Sequence, residues 1–334
     1  TMPYYHPKKP WELPNLRPTA ERVFHSRREF LTKLGIGGGA LAASSLGLAG
    51  CAESSRTVKN RVGDPLSDTV GLPAADPAYW PPVRNEAFTL DRPITDRVAA
   101  ASYNNFYEFS LRTTEVWQRT SAFVADPWSI EVAGLVDRPG PVPLEALYDN
   151  LPFEERLYRH RCVEAWAMAV PWSGFLLSDF LEYVGVQSGA RFVRMVSFNR
   201  PEQAPGIAET PHYPWPYYEG LAIEEAMNPL AMLVTGVYGE PLLKQHGAPV
   251  RLVVPWKYGY KSIKSIVRLE VTDEQPPTFW NDLVPREYDF WSNVDPATPH
   301  PRWSQAQETL LETGDVVDTL PYNGYADLVA DLYK

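Results

Sequence analysis

The sequence predicts an α+β fold with mixed β-sheets and few, short helices. Segments with strand-like apolar patterns outnumber those with helical spacing. The 33 prolines in 334 residues are twice the usual share of about 5%, which favours turns and edge strands over long helices. No glycine-rich turn joins a strand to a helix, so a dinucleotide-binding unit is not expected. The 44% of hydrophobic residues is enough for a sizeable core.

The periodic pattern begins near residue 128. Strands are predicted over residues 128–136, 157–163, 191–198, 231–238, 250–254 and 262–271. Short helices are predicted over residues 143–148 and 174–184. We expect residues 101–280 to form the main domain, and the aromatic-rich residues 281–334 to wrap it as an irregular segment.

Residues 1–50 are interpreted as an export signal. Arg27 and Arg28 are followed at once by Glu29, Phe30 and Leu31, a pattern typical of the twin-arginine signal. Residues 34–50 are mildly apolar and too short for a good membrane span. This route carries folded proteins, so it favours a cofactor inserted before export to the periplasm.

The signal ends at Cys51 in the order Leu-Ala-Gly-Cys, which leaves two outcomes open. Either Cys51 is lipidated and tethers the protein to a membrane, or cleavage after Ala52 leaves it unanchored. Residues 51–100 are polar and proline-rich, and we expect an extended arm over the domain.

Charge and cysteine count exclude several classes of protein. The net charge of −10 opposes binding to nucleic acid. Only Cys51 and Cys162 are present, so a disulfide framework is not supported. The six histidines lack the spacing of zinc ligands, and no Gly-x-Ser-x-Gly motif marks a serine hydrolase.

A first cluster surrounds Cys162. Arg159, His160 and Arg161 precede it, and positive neighbours stabilise a thiolate. A thiolate is a preferred ligand of soft transition metals. The alternative is a small buried cysteine on a strand. The export signal and the basic neighbours favour the metal.

Two further clusters carry chemistry. Residues 246–264 gather four cations with aromatic residues and glycine, which suits a phosphorylated organic ligand. A solvated basic strand edge is the alternative. Residues 103–109 contain Asn104 and Asn105 beside tyrosines, which taken alone indicate a turn.

Together the clusters resemble the catalytic subunit of bacterial protein-methionine-sulfoxide reductase, the MsrP family, a branch of the sulfite-oxidase-fold molybdoenzymes. The resemblance runs from about Asn104 to the C-terminus. It is carried by YNNFYEF, RCVEAW, GVYG, PPTFW, HPRWSQA and NGYAD, in that order.

The resemblance implies a cofactor of one molybdenum on one molybdopterin. Cys162 would be the catalytic residue and the protein's metal ligand, beside the pterin dithiolene. The pterin contacts would be Asn104, Tyr107, Glu108, Cys162, Ser197, His246, Arg251, Ser262, Ile263 and Lys264. Three of these depart from the familiar pattern: Ser197 replaces Thr, His246 replaces Asn and Ser262 replaces Gly.

The implied reaction is reduction of methionine sulfoxide in envelope proteins by oxygen-atom transfer. Electrons would come from a membrane haem-b partner linked to the quinone pool. Trp166, Trp172 and Trp256 would form either an aromatic mouth or part of the core. Two rival functions remain: sulfite oxidation, for which Arg159 and Arg161 could bind the anion, and an exported scaffold without activity.

Overall fold

The computed structural model describes residues 63–334 and shows an α+β fold with two mixed sheets, which confirms the predicted class. The twin-arginine segment and Cys51 lie outside the described residues. The strands described are β1 Ser129–Gly134, β2 Gly140–Pro143, β3 Glu154–Arg161, β4 Trp166–Leu176, β5 Phe192–Ser197, β6 Tyr218–Ala222, β7 Met232–Val237, β8 Glu240–Pro241, β9 Arg251–Val253, β10 Ile266–Thr272, β11 Gln307–Leu310 and β12 Val316–Asp318.

The helices of the described residues are short, none longer than eight residues. The α-helices are α1 Arg97–Ser102, α2 Leu144–Asn150, α3 Leu177–Val184, α4 Pro205–Glu209, α5 Ile223–Ala226, α6 Phe279–Leu283 and α7 Ala326–Val329. The 3₁₀ turns are Val116–Arg119, Lys244–His246, Gly259–Lys261, Pro321–Gly324 and Ala330–Tyr333. Within residues 63–334, no helix has the length and apolar character needed to cross a bilayer.

The first sheet has the order β2-β1-β10-β5-β6. β1 and β10 run parallel, and the other neighbours run antiparallel. β10 lies at the centre, where Leu269 is in register with Val132 on one side and Met195 on the other. All three side chains are fully buried, so this sheet carries a large part of the core.

The second sheet is built on β4 and β7, and β4 was missed by the sequence analysis. Its order is β12-β11-β4-β7-β8, with β3 paired to β4 and β9 paired to β7. All of β4 except Leu176 is buried, so it lacks the alternation that marks a half-buried strand. The predicted helix over 174–184 is therefore wrong at its start: Leu176 ends β4, and α3 begins at Leu177.

A second boundary also differs from the prediction. The strand expected over 262–271 begins only at Ile266, and residues 262–265 form a loop. The carbonyls of Ser262 and Lys264 accept hydrogen bonds from the side chains of Arg251 and Ser197, at 3.1 and 2.8 Å. Side-chain donors thus satisfy these loop carbonyls in place of the backbone of a neighbouring strand.

The segments on either side of the predicted domain lie on these sheets. Residues 63–96 contain no helix or strand, and Arg84 pairs with Glu155 of β3. The expectation that 281–334 is irregular is wrong in part. β11 pairs with β4 in parallel at Thr309 and Leu310, and β12 extends the same sheet.

An aromatic cluster supports the segment that follows α1. Phe106 and Phe109 are 4.9 Å apart between ring centroids, and Phe123 and Phe198 are 4.6 Å apart. Phe109 packs edge-on against Phe123 at 5.6 Å. Such pairs contribute about 0.5–1.5 kcal/mol each beyond the burial of their area. The cluster therefore fixes the backbone of residues 104–109.

Candidate functional site

One cavity brings the three sequence clusters together. Its empty space amounts to about 890 Å³, which includes the open solvent at its mouth. Nine of the ten predicted cofactor contacts line it: Asn104, Tyr107, Glu108, Cys162, His246, Arg251, Ser262, Ile263 and Lys264. Ser197 is not among the lining residues. Its hydroxyl donates to the carbonyl of Lys264, so it supports the wall from behind.

Cys162 lies in the tight connection between β3 and β4. The amide of Cys162 donates to the Trp166 carbonyl at 2.9 Å, and the amide of Ala165 donates to the Cys162 carbonyl at 3.0 Å. Ala165 has a φ of 64°, the left-handed conformation that an L-residue adopts at a cost. The Glu164 amide lies 3.4 Å from the Cys162 sulfur. The connection thus holds the sulfur at the wall of the cavity.

The four cations of the second cluster divide into two pairs. Lys257 forms an ion pair with Glu225, and Lys261 lies 2.8 Å from Glu219. All four of these side chains are buried, and neither lysine lines the cavity. These pairs hold residues 257–261 against β6 and α5. Lys257 and Lys261 are therefore structural.

Arg251 and Lys264 are the other pair, and both line the cavity. Within residues 63–334, neither has a carboxylate within 4.0 Å to form an ion pair. The Arg251 guanidinium donates to the carbonyls of His246 and Ser262 at 2.9 and 3.1 Å. Burial lowers the pKa of Arg251 to about 9. A buried cation held only by neutral carbonyls is suited to an anionic ligand.

Lys264 lies near a buried carboxyl group. Its ammonium donates to the Asn105 carbonyl at 2.9 Å. Its positive charge lowers the pKa of the Glu108 carboxyl. Burial lowers the pKa of Lys264, and the positive charge of Arg251 lowers it further. Burial also raises the pKa of Glu108. The two groups therefore favour their neutral forms more than exposed side chains do.

Three side chains of the cavity wall have ring nitrogens without a hydrogen-bond partner among the described residues. Both ring nitrogens of His246 and the indole nitrogens of Trp166 and Trp172 lack a hydrogen-bond partner within the described residues. The Ala100 backbone raises the pKa of His246, but it does not form a hydrogen bond with the ring. Buried polar atoms are usually paired, so this group indicates a ligand that completes the wall.

Two glycines allow the walls to approach. Gly247 has a φ of 97°, and a Cβ there would lie 2.6 Å from the Cβ of Lys264. A Cβ on Gly259 would lie 2.6 Å from Cε1 of His160. Neither contact can be accommodated without movement of the wall. These positions need glycine so that Lys264 and His160 can line the cavity.

Arg159 and Arg161 do not line the cavity, contrary to the picture of a cysteine ringed by cations. Arg159 pairs with Asp91, and Arg161 pairs with Glu308 at 3.1 Å. Burial lowers the pKa of Arg161, and the charge of the Cys162 sulfur offsets part of that shift. Their charge is already matched by carboxylates, so they do not supply an anion pocket for sulfite.

Other lining residues gave no signal, or only part of one, in the sequence. Asn105 and Trp280 belong to the motifs YNNFYEF and PPTFW but were not singled out. Tyr288 lies in a segment without any motif. Its ring is 5.2 Å from that of Trp280. Trp256 belongs to the core: its indole is fully buried and donates to the Tyr333 hydroxyl at 2.8 Å.

Comparisons with known proteins agree with this site. A family model described as the oxidoreductase molybdopterin binding domain matches residues 117–280. Three relatives are named protein-methionine-sulfoxide reductase catalytic subunit MsrP. The protein of Xanthomonas axonopodis pv. citri is 41% identical over 96% of this chain and 95% of its own length. That of Xanthomonas campestris pv. campestris is 40% identical over 96% and 94%. That of Burkholderia mallei is 41% identical over 97% and 93%.

These findings define the class as an oxidoreductase with a molybdopterin-binding domain. More narrowly, the chain belongs to the protein-methionine-sulfoxide reductase catalytic subunit (MsrP) family. The crystal structure of the sulfane dehydrogenase SoxCD from Paracoccus pantotrophus overlaps with a TM-score of 0.41 at 17% identity, covering 65% of this chain and 57% of that one. The assignment does not depend on that overlap.

Proposed function

We propose that this protein is a molybdenum-dependent reductase that converts methionine sulfoxide to methionine in other proteins. Its relatives carry that activity in their names. The observation that carries the proposal is the combination in one cavity of the Cys162 sulfur with two buried cations, Arg251 and Lys264, that no described carboxylate pairs. A soft metal ligand and an anion site together suit a metal held on a phosphorylated organic cofactor.

The residues present fit a molybdenum–pterin cofactor. Cys162 offers the sulfur for the metal, and Arg251 and Lys264 offer positive charge for the pterin phosphate. His246 and Trp172 offer unpartnered ring nitrogens for polar atoms of the pterin. When bound, the group would accept the sulfoxide oxygen and supply the two-electron chemistry of the reduction.

The protein's own part in the chemistry includes proton supply. The overall reduction takes two electrons and two protons and releases a thioether and water. Burial raises the pKa of Glu108, so its carboxyl keeps a proton to a higher pH than an exposed glutamate does. The positive charge of Lys264 beside it offsets part of this rise in the pKa of Glu108. The pair can therefore hold a proton at the Glu108 carboxyl inside the cavity.

The lining favours a sulfur-containing side chain of the methionine type. Tyr107, Trp280 and Tyr288 form a contiguous aromatic row, with ring centroids 5.4 and 5.2 Å apart. Sulfur makes favourable contacts with aromatic rings. Arg159 and Arg161 are neutralised outside the cavity, which disfavours sulfite as the substrate.

Export and electron supply belong to the same proposal. Arg27 and Arg28 support the twin-arginine route to the periplasm, with Cys51 as a possible site of a lipid anchor. The relatives are named catalytic subunits, which supports a second subunit. We propose that this partner is a membrane haem-b protein that delivers electrons from the quinone pool.

Steady-state turnover tests the proposal. Purified metal-loaded protein should reduce methionine sulfoxide with an artificial electron donor and should not oxidise sulfite. Cys162→Ser should abolish the activity, because a hydroxyl is a poor ligand for a soft metal. Ser173→Ala, a buried hydroxyl on β4 outside the cavity lining, is the matched control and should keep it. Sulfite oxidation without sulfoxide reduction would overturn the proposal.

A further inference from the structure

We propose that Trp303 and Gln305 position the Cys162 sulfur by clamping the backbone carbonyl of Val163, the next residue. Both lie in the C-terminal motif HPRWSQA, to which the proposed function assigns no role. Neither lines the cavity. They are positioning residues that act through the connection between β3 and β4.

The connection cannot hold its shape by its own contacts alone. It spans four residues, 162–165, and includes Ala165 in the left-handed region at a φ of 64°. A strained non-glycine conformation persists only where the surroundings enforce it. The two backbone bonds within the connection involve Cys162, Ala165 and Trp166, and neither involves the Val163 carbonyl.

The C-terminal segment supplies that restraint. The indole of Trp303 donates to the Val163 carbonyl at 2.7 Å, and the amide of Gln305 donates to the same oxygen at 2.8 Å. Two donors on one carbonyl fix its direction, since both lone pairs are engaged. The Val163 carbonyl and the Glu164 N–H belong to one planar peptide group, and that N–H lies 3.4 Å from the Cys162 sulfur, so the direction of the group constrains where the sulfur lies.

The clamp is itself anchored. Gln305 is 2% exposed and accepts a hydrogen bond from Arg161 at 2.9 Å. Arg161 also binds Glu308 of β11 at 3.1 Å and donates to the Cys162 carbonyl. The Trp303 ring stacks on His300 with centroids 3.8 Å apart. The C-terminal segment thus holds the Val163 carbonyl directly and the Cys162 carbonyl through Arg161.

That the Cys162 sulfur binds a metal rests on the proposed function, whereas the placement of the sulfur by Trp303 and Gln305 does not. The test therefore begins with the full chain made without cofactor, in which alkylation of Cys162 reports how far the connection opens. Trp303→Phe removes the N–H and keeps the stacked ring. We expect its alkylation rate to rise about fivefold, the effect of losing one ordinary hydrogen bond. Gln305→Glu keeps an acceptor for Arg161, removes the donor to Val163 and should act in the same direction.

Trp291→Phe is the matched control, because Trp291 lies in the same C-terminal region, 43% exposed and outside the cavity lining. It should leave the rate unchanged. In loaded protein, Trp303→Phe should also shift the sulfur-to-metal charge-transfer absorption, which a merely structural change would not move. Wild-type alkylation rates in both Trp303→Phe and Gln305→Glu would overturn the clamp. Because the rate needs no metal, that result is distinct from a failure of the proposed activity.

Discussion

Arg251 and Lys264 differ from the two lysines between them in what they bind. Lys257 and Lys261 end on buried carboxylates, whereas Arg251 and Lys264 end on backbone carbonyls inside a cavity. Burying a charge without a counter-charge is costly, so an anionic ligand gains more from this pair than from any solvated cation. At the residue scale, the site is defined by Arg251, which forms no ion pair within residues 63–334, and by Lys264, whose neighbouring acid Glu108 favours its neutral form.

Replacing Arg251 with Gln should weaken retention of the cofactor. Hydrogen bonds to charged groups contribute about 1.5–3 kcal/mol, so affinity should fall by roughly 10- to 100-fold. The pterin content of purified protein after dialysis measures this. Arg194→Gln is the control, since Arg194 pairs with Glu270 outside the cavity lining. Equal pterin content in both variants would contradict a phosphate-binding role for Arg251.

His246 should make the cofactor-free protein sensitive to acid. Burial, with the nearby charges of Arg251 and Lys264, lowers the pKa of His246 to about 3 from an ordinary 6.5. The unfolded chain binds a proton below pH 6.5 that the folded chain refuses. The free energy of unfolding should therefore fall as the pH falls from 6.5 towards 3, by about 1.4 kcal/mol per pH unit from this group.

Urea denaturation of wild type and His246→Asn at several pH values measures the effect. The variant lacks the titrating group, so its stability should decline less steeply between pH 6.5 and 4. Asparagine keeps the capacity for hydrogen bonds in the wall. Parallel pH profiles for the two proteins would show that His246 is solvated and not buried among cations.

At the scale of elements, loops carry most of the predicted cofactor contacts, and strand residues such as Arg251 on β9 and His160 on β3 complete the walls. Residues 104–108 follow α1, Cys162 joins β3 to β4, and residues 262–264 precede β10. Each loop is held by side chains from another element, such as Ser197 at the end of β5. A rigid sheet framework with loops fixed in this way is the usual arrangement for a binding site.

Gly247→Ala should destabilise the protein by more than the backbone strain of a left-handed alanine alone. The left-handed conformation costs about 1–2 kcal/mol for alanine, and the overlap with Lys264 adds about 1–3 kcal/mol. Gly314→Ala is the control, because Gly314 has a φ of 76° and nothing within 4 Å of an added Cβ. Urea denaturation should show the larger loss for Gly247→Ala, together with lower molybdenum content. Equal losses would mean that the wall yields freely.

The elements also show what the sequence could predict. The strands β1, β5, β7 and β9 were found within a residue or two, since their apolar patterns are local. β4 was missed because its buried run contains Pro171, Ser173 and Gly174, which interrupt a strand pattern, and part of it was assigned to a helix. The strand predicted from residue 262 started too early because hydrogen bonds from the side chains of Arg251 and Ser197 hold that segment as a loop. No local sequence pattern reveals these bonds between distant residues.

At the scale of the whole molecule, segments distant in sequence meet in one cavity. The motifs indicated which segments matter, and nine of the ten predicted contacts line the same space. Sequence could not separate Arg251 and Lys264 from Lys257 and Lys261, nor show that Arg159 and Arg161 are neutralised elsewhere. Those distinctions depend on carboxylates up to 147 residues away along the chain, such as Glu308 for Arg161.

The most direct test of the central claim is molybdenum X-ray absorption on purified, loaded protein, with wild type beside Cys162→Ser. Molybdenum should be present in the wild-type protein and should have one more sulfur ligand there than any molybdenum that Cys162→Ser retains. An unchanged number of sulfur ligands in Cys162→Ser, or wild-type protein without molybdenum, would contradict it.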